Sequence, residues 1–158
     1  MKELYYAFIH PYFHYCHEVW GSTRDTYLDP LIKLQKRAIR IVAGVPRRHH
    51  TFELFLSYNI IPFKKLYKYS VYLFLYKLIN NLLPSAIQST FVFNNQIHQH
   101  HTRHADRLHA QTFSSAPRKR ALRYQSALLH AKNTTVDYSI SFITFKLCVK
   151  TMLFNSTD

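Results

Sequence analysis

Apolar residues recur every three or four positions along much of the chain, and this period predicts helices rather than strands. The clearest case covers residues 26–43. Asp29 followed by Pro30 gives a helix-start signal, and Gly44 followed by Pro46 gives a stop signal. The pattern predicts one helix here, with a broad buried side that consists of Leu28, Leu31, Ile32, Leu34, Ala38, Ile39, Ile41 and Val42.

The segments on either side have shorter helical patterns. Residues 2–20 predict one helix, or two helices broken near Pro11, closed by Gly21. Residues 51–56 predict a short helix with Thr51 as its N-cap. Helices joined by short breaks are therefore expected from residue 2 to residue 56.

A long central helix is predicted for residues 62–83, because a proline begins it and Pro84 stops it. Residues 94–117 are polar and histidine-rich without a period, so they are expected to form a loop or linker. Residues 118–130 fit an extended or a helical conformation. Residues 139–154 have near-helical spacing, but their β-branched and aromatic content leaves a strand possible.

Together these patterns predict an all-α fold, a small helical bundle of about four to five helices with a long polar loop and an irregular C-terminal segment. The expected organisation is a helical bundle over residues 1–92 and a polar, His-rich linker over residues 93–121. A C-terminal basic segment, expected to end in a helix, follows over residues 122–158.

The charge balance of the chain is strongly positive. Lys and Arg number 21 against 8 Asp and Glu, a net charge of +13 in 158 residues, which indicates an anionic partner or surface. Apolar residues make up 47% of the chain, which is too many for a disordered basic tail and enough for one modest core. Only two glycines occur, so a glycine-rich phosphate loop is excluded.

Cysteine content and hydropathy bear on the setting of the protein. Cys16 and Cys148 provide neither a disulfide framework nor a four-ligand zinc site, so we expect an intracellular setting, cytoplasmic or nuclear. The most apolar stretch has no charge over residues 69–76, but Lys68 and Lys77 bound it. A membrane span needs roughly 20 apolar residues, so none is expected.

The acidic residues do not suggest a catalytic centre. Metal-dependent phosphoryl transfer needs carboxylates that converge on cations, and no two acidic residues of this chain are adjacent. Cys16 lies near His14 and His17, but nothing in the sequence identifies a group that would orient a cysteine nucleophile. We therefore expect no enzymatic activity of the chain by itself and no cofactor.

A histidine cluster spans residues 98–109, "HQHHTRHADRLH", and histidine is a common ligand of transition metals. The cluster lacks cysteine, its nearby acid is only Asp106, and it lies in a predicted loop rather than on a rigid scaffold. Adventitious metal binding is compatible with this composition, but no specific metal site is predicted.

One side of the helix predicted at residues 26–43 is basic. Lys33, Lys36, Arg37 and Arg40, which we call the basic stripe, fall within an arc roughly 100° wide. Five further cations extend this set along the sequence: Arg47, Arg48, Lys64, Lys65 and Lys68. The nine together are the candidate nucleic-acid-binding residues. The alternatives are that the cations bind an anionic membrane or protein surface, or that they have no partner.

Several segments together carry a resemblance to a known family. "LYYAFIHPYFHYCHEVWG", "LIKLQKRAIRIVAG" and "RRHHTFELF" are followed by "NIIPFKKLYKYSVYLFLYKLINNLLP" and "NNQIHQHHTRHA". In this order they resemble the region just after the catalytic palm in reverse transcriptases of non-LTR (LINE-type) retrotransposons. The pairing of "EVWG" with "LQKRAIR" is the specific part, and the match covers most of the chain.

The resemblance implies a thumb-like and post-thumb helical region that grips the template and primer backbone, with residues 1–92 as the thumb-like bundle. Its partners would be RNA, an RNA–DNA hybrid or the DNA backbone, together with an upstream palm domain. The family's tyrosine-x-aspartate-aspartate motif lies upstream of this region, so the chain should not polymerise by itself. The parent polymerase would need magnesium.

The C-terminal third departs from the family. Ser126 and Ala127 stand at the place of a glycine-proline pair, and His130 and Ala131 at the place of a tryptophan-asparagine pair. Two other interpretations therefore stay open, an orphan mobile-element remnant without independent activity and a free-standing basic helical protein that binds an anionic surface. An exposed apolar face for a palm domain is expected at Tyr5, Phe8, Tyr12 and Trp20.

Overall fold

The structure, a computed structural model, describes residues 2–97, 104–132 and 136–156. These ranges contain 11 helices and no strand, which confirms the all-α class. Four of the helices are longer than ten residues, namely α4, α6, α10 and α11; the others are short. The helices are α1 Lys2–Phe8, α2 His10–His14, α3 His17–Trp20, α4 Asp25–Ala43, α5 Phe52–Ser57, α6 Phe63–Ile79, α7 Ser85–Gln88, α8 Asn94–Ile97, α9 Ala116–Lys119, α10 Leu122–Lys132 and α11 Phe142–Asn155.

The N-terminal segment forms three short helices rather than the one or two expected. Pro11 lies in the first turn of α2, where its missing N–H costs nothing, so the chain breaks at Ile9 just before it. A second break occurs at Cys16, which adopts a left-handed backbone with φ of 48°. Pro11 in the sequence predicts the first break, but nothing in the sequence predicts the second break at Cys16, because non-glycine residues rarely adopt a left-handed backbone.

Gly21 follows α3, and close contacts require a glycine at this position. Its backbone N donates a hydrogen bond to the carbonyl of His17 at 2.8 Å. A Cβ at this position would lie 2.6 Å from the same carbonyl oxygen and 2.6 Å from Cδ2 of Tyr67. The residue must therefore lack a side chain because the backbone and a neighbouring ring approach it closely.

The long helix α4 begins at Asp25, so the start signal at Asp29 and Pro30 is wrong. Pro30 lies inside the helix, where its ring leaves the carbonyl of Thr26 without an intrahelical donor. Both residues are exposed, so water can bond that carbonyl. The stop signal is correct: Gly44 has φ of 68°, and the N–H groups of Gly44 and Val45 bond carbonyls of the last turn.

The central helix α6 ends at Ile79 rather than at the residue before Pro84. Asn81 adopts a left-handed backbone with φ of 57°, and the N–H of Leu82 donates to the carbonyl of Lys77 at 2.8 Å. This is the closing geometry that glycine usually provides, and asparagine also tolerates it. The sequence leaves the conformations of residues 118–130 and 139–154 open. Most of each segment lies in a long helix, α10 for the first and α11 for the second.

Two compact units make up the chain, Met1–Ser70 with Lys150–Asp158 and Val71–Val149. The first unit has two clusters of buried apolar residues: Phe13, Leu28, Ile61, Phe63 and Leu66 form one, and Tyr5, Ile39, Phe55 and Ile60 form the other. The three-part division of the sequence stays a prediction.

The second unit has its own buried residues. The rings of Tyr76 and Phe145 lie 4.6 Å apart, and the Tyr76 hydroxyl donates to the carbonyl of Ile140 at 2.8 Å. The buried apolar side chains of this unit are Val71, Tyr72, Leu75, Tyr76, Leu78, Leu108, Ala127, Phe145 and Val149. In the described ranges, no helix combines the length and the apolar character needed to cross a bilayer.

Candidate nucleic-acid interface

A buried glutamine fixes the orientation of α4. Gln35 is 1% exposed, and its Nε2 donates to the hydroxyl of Tyr5 at 2.8 Å and to the carbonyl of Ile61 at 3.0 Å. Its Oε1 accepts a bond from the backbone N of Phe63 at 2.7 Å, which satisfies a donor in the first turn of α6. Every polar atom of this side chain is therefore used, and α1, α4 and α6 are joined through it.

The basic stripe lies on the outward side of α4 because Gln35, Ala38 and Ile39 hold the other side inward. Lys33, Lys36 and Arg37 are exposed, and Arg40 is half-buried. These four cations line one open groove with a volume of about 670 Å³, which we call the first groove. Arg47 also lines the first groove, together with Pro30, Leu34, Ile41 and Val45.

Arg40 differs from the rest of the stripe because its guanidinium is partly engaged. Its Nε donates to the carbonyl of His49 at 2.8 Å, and an Nη donates to the carbonyl of Lys36 at 3.3 Å. The bond to His49 ties the segment after α4, which carries Arg47, to the helix, whereas the bond to Lys36 lies within α4. Since a guanidinium has five N–H donors, Arg40 keeps donors for an anion while it positions Arg47.

A second groove, with a volume of about 760 Å³, lies between α4, α5 and α6. Lys36, Lys64, Lys65 and Lys68 belong to its lining, so Lys36 borders both grooves. Of the nine predicted cations, five line the first groove and four line the second, with Lys36 counted in each. Arg48 is exposed and lies outside both linings.

Lys65 has a structural task in addition to its place in the second groove. Its Nζ donates to the carbonyl of Leu153 at 2.8 Å and also to the carbonyl of Ser156. These acceptors lie at the C-terminal end of α11, where free carbonyls and the helix dipole favour a cation. The ammonium of Lys65 is thus largely occupied, whereas Lys64 is exposed.

Two corrections apply to the outward side of α4. Leu34 and Ile41, expected in the core, are 52% and 65% exposed and line the first groove beside the cations. Asp29, expected as a cap, is a helical residue four positions before Lys33, so an acidic residue stands at the N-terminal end of the stripe. The hydrophobic period predicted the helix, but it did not show which of its apolar residues are buried by other parts of the protein.

The charges of the stripe repel one another. Lys33 with Arg37 and Lys36 with Arg40 are like-charge pairs four residues apart, and each such pair destabilises a helix by about 0.2–0.5 kcal/mol. Among the described residues, neither groove has a carboxylate in its lining. A concentration of cations that costs stability and has no acidic partner in the groove is suited to an anion from outside.

The expected apolar face for a neighbouring domain is only partly present. Phe8 and Tyr12 are 68% and 79% exposed, as expected. Tyr5 is buried against Gln35, and Trp20 is partly buried against the cluster around Phe63, so these two residues do not belong to an exposed face.

Two histidines of the N-terminal segment are held neutral. Burial lowers the pKa of His17 to about 4, and burial also lowers the pKa of His10 to about 4; the neighbouring His14 adds to both effects. His17 is fully buried beside Trp20 and Phe63, and neither ring nitrogen has a hydrogen-bond partner in the described structure. Burial of the His17 ring without a hydrogen bond costs stability, and we assign this residue to no binding site.

The predicted His-rich run lies partly beyond what the structure describes. Residues 98–103 fall outside the described residues, and His109 approaches the side-chain oxygen of Asn94 through its Nδ1 at 3.1 Å. In the described ranges, no three His, Cys, Asp or Glu side chains are placed to hold a metal ion.

The described residues thus form a basic, all-α protein in which one helix separates a hydrogen-bonded interior from a cation-lined groove. No family model, curated protein or solved structure matches the chain.

Proposed function

We propose that this chain is a thumb-like and post-thumb region of a reverse-transcriptase-like polymerase, which grips the phosphate backbone of RNA, an RNA–DNA hybrid or DNA. The observation that carries the proposal is the first groove, where Lys33, Lys36, Arg37, Arg40 and Arg47 meet without a carboxylate. The sequence resemblance described above supports the same class of partner.

The chemistry of the groove favours positioning over sequence reading. Lysine ammonium groups act as mobile point charges, whereas the guanidinium of Arg37 can bond two phosphate oxygens at once. Contacts to phosphate fix the register of a nucleic acid but carry no direct information about its bases. We therefore expect tight binding at low salt and little preference among sequences.

Under this proposal, polymerisation belongs to an upstream palm domain. The catalytic magnesium would be held there, because the family's tyrosine-x-aspartate-aspartate motif lies upstream of the region that this chain resembles. The residues of this chain hold and orient the duplex, and they take part in no chemical step.

The first experiment measures the affinity for an RNA–DNA hybrid over a range of salt concentrations by fluorescence anisotropy. Each phosphate contact contributes a slope of roughly 0.7 to 0.9 in log K against log salt. Alanine at Lys33, Lys36 and Arg37 should therefore flatten the slope by about two to three units. Arg40 is left intact because it also holds the segment after α4.

The control variant removes the same charge elsewhere. Lys77, Arg118 and Lys119 are also exposed but lie outside both grooves, so their replacement by alanine should leave most of the slope unchanged. Equal flattening in both variants would mean that net charge alone attracts the hybrid, and the assignment of the stripe would then fail.

A second candidate function is binding to an anionic membrane surface. The observation in its favour is that Leu34 and Ile41 are exposed beside the stripe, since amphipathic helices combine cations with an apolar insertion surface. Serine at both positions should then weaken binding to anionic vesicles and leave hybrid binding unchanged. Vesicle binding without hybrid binding would replace the first proposal by this one.

A further inference from the structure

The second groove has an aromatic wall that the packing of the protein does not require. On α5, Phe55 is buried in the core, whereas Phe52 is 70% exposed and Leu56 is 46% exposed. Both exposed side chains line the second groove together with residues of α4 and α6. A large aromatic ring that is left in water beside lysines is available to a ligand.

The cations of this groove come from two different helices. Lys36 comes from α4, and Lys64 comes from the first turn of α6; both are exposed. Lys65 donates to the carbonyls of Leu153 and Ser156, and these bonds fix the end of α11, which includes the groove residue Phe154. The groove is therefore a built feature, with a volume in the range of small-ligand sites.

We propose that the second groove binds an unpaired stretch of nucleic acid, with a base stacked on Phe52 and the flanking phosphates on Lys36 and Lys64. Stacking on an aromatic side chain next to basic residues is the general way in which proteins hold single strands without reading their sequence. The inference rests on the proposed function and specifies it, because Lys36 borders both grooves and joins them. A strand that leaves the duplex in the first groove would enter the second.

The distribution of charge favours a polynucleotide over a single-headed amphiphile. A lipid presents one anionic headgroup, so it would satisfy lysines at one end of its apolar part. A nucleic acid strand presents a phosphate on each side of every base, which matches a groove that has several lysines in its lining, Lys36 from α4 and Lys64 and others from α6, together with the exposed Phe52.

The test compares three probes by fluorescence anisotropy: a blunt RNA–DNA hybrid, the same hybrid with a single-stranded extension of about four nucleotides, and that extension with abasic sites. Alanine at Phe52 should weaken binding of the extended hybrid about fivefold to a hundredfold. Binding of the blunt and abasic probes should not change, because they offer no unpaired base. Tryptophan at Phe52 should retain or increase the affinity for the extension.

Tyr27→Ala is a matched control. Tyr27 is 69% exposed, close to the exposure of Phe52, and it lies outside the linings of both grooves. It should leave all three affinities unchanged. Thermal melts of both variants check that they fold, which their exposure leads us to expect.

Vesicles that contain phosphatidylserine serve as a fourth probe. Three outcomes would overturn the inference: no loss with Phe52→Ala on any probe, an equal loss on the blunt probe, or a loss on the vesicles alone. The last would assign the groove to a lipid. These outcomes are distinct from failure of the proposed function, which is read from the blunt hybrid and the variants at Lys33, Lys36 and Arg37. The first groove can pass its test while the second fails.

Discussion

The two sides of α4 treat polar groups in opposite ways. On the inward side, Gln35 has a partner for each of its polar atoms, and these partners come from α1 and from residues 61–63 at the start of α6. On the outward side, Lys33, Lys36 and Arg37 are exposed, and their charges repel one another. The inward side is thus arranged for stability, whereas the outward side gives up some stability.

This contrast separates what a mutation should change. A substitution on the inward side should lower the free energy of unfolding. It should change the salt dependence of binding only through its effect on folding. A substitution on the outward side should alter binding while the fold stays intact. His17 is an exception to the pattern of satisfied buried polar groups, because it is as buried as Gln35 and yet neither of its ring nitrogens has a hydrogen-bond partner in the described structure.

The largest effect is expected at Gln35. Gln35→Met keeps the approximate shape but removes the partner of the Phe63 N–H, the Tyr5 hydroxyl and the Ile61 carbonyl. Buried groups left without a bond cost about 1–3 kcal/mol each, so we expect the free energy of unfolding to fall by about 3 to 5 kcal/mol. Urea denaturation followed by circular dichroism measures this difference.

Lys36→Met, one residue along on the outward side, is the control for that experiment. It should change the free energy of unfolding by less than about 0.5 kcal/mol, as surface substitutions usually do. Similar losses in the two variants would show that the inward side is not special, and the contrast between the two sides would be lost.

How much of this arrangement the sequence predicts depends on the range of the interactions. The helix at α4, its stop at Gly44 and the basic stripe follow from local spacing and were predicted. The role of Gln35 was not, because its partner Tyr5 lies 30 residues away and a glutamine in a helix gives no signal of burial. The task of Lys65 was missed for the same reason, since Leu153 lies 88 residues away.

Apolar positions were predicted less well than charged ones. A helical period shows which residues share a face, but it does not show how much of that face another element covers. Leu34 and Ile41 were assigned to the core because they are apolar, and they are exposed because the covering helices reach only the side of α4 around Ala38 and Ile39. The second groove was not predicted as a unit, since its walls come from separate segments.

The second-largest effect on stability is expected at His17, where a fall in pH should lower the free energy of unfolding. Its pKa is lowered from 6.5 to about 4 in the folded state, so the unfolded chain binds a proton more readily between these values. The contribution to stability is present above pH 6.5 and is lost as the pH falls towards 4. The size of this loss is on the order of 3 kcal/mol, because the ring is fully buried.

His17→Phe removes the titrating group and keeps an aromatic ring against Trp20 and Phe63. Thermal melts between pH 7 and about pH 4 should show a shallower pH dependence in this variant than in the parent. The part that remains should come from His10 and His130, whose pKa values burial lowers in the same direction. An unchanged pH profile would mean that His17 is solvated or hydrogen-bonded in the folded protein.

The smallest effect, and the sharpest test of the contrast, is a gain of stability on the outward side. Arg37→Ala removes the like-charge pair with Lys33, keeps the opposite-charge pair of Asp29 with Lys33 and introduces a better helix former, so the free energy of unfolding should rise by about 0.2–0.5 kcal/mol at low salt. Salt screens exposed charges, and most of the repulsive part of this gain should disappear near 1 M salt. Urea denaturation at the two salt concentrations measures both values. A loss of stability at low salt would instead mean that Arg37 holds the fold together, and a cation that holds the fold is no evidence for a ligand.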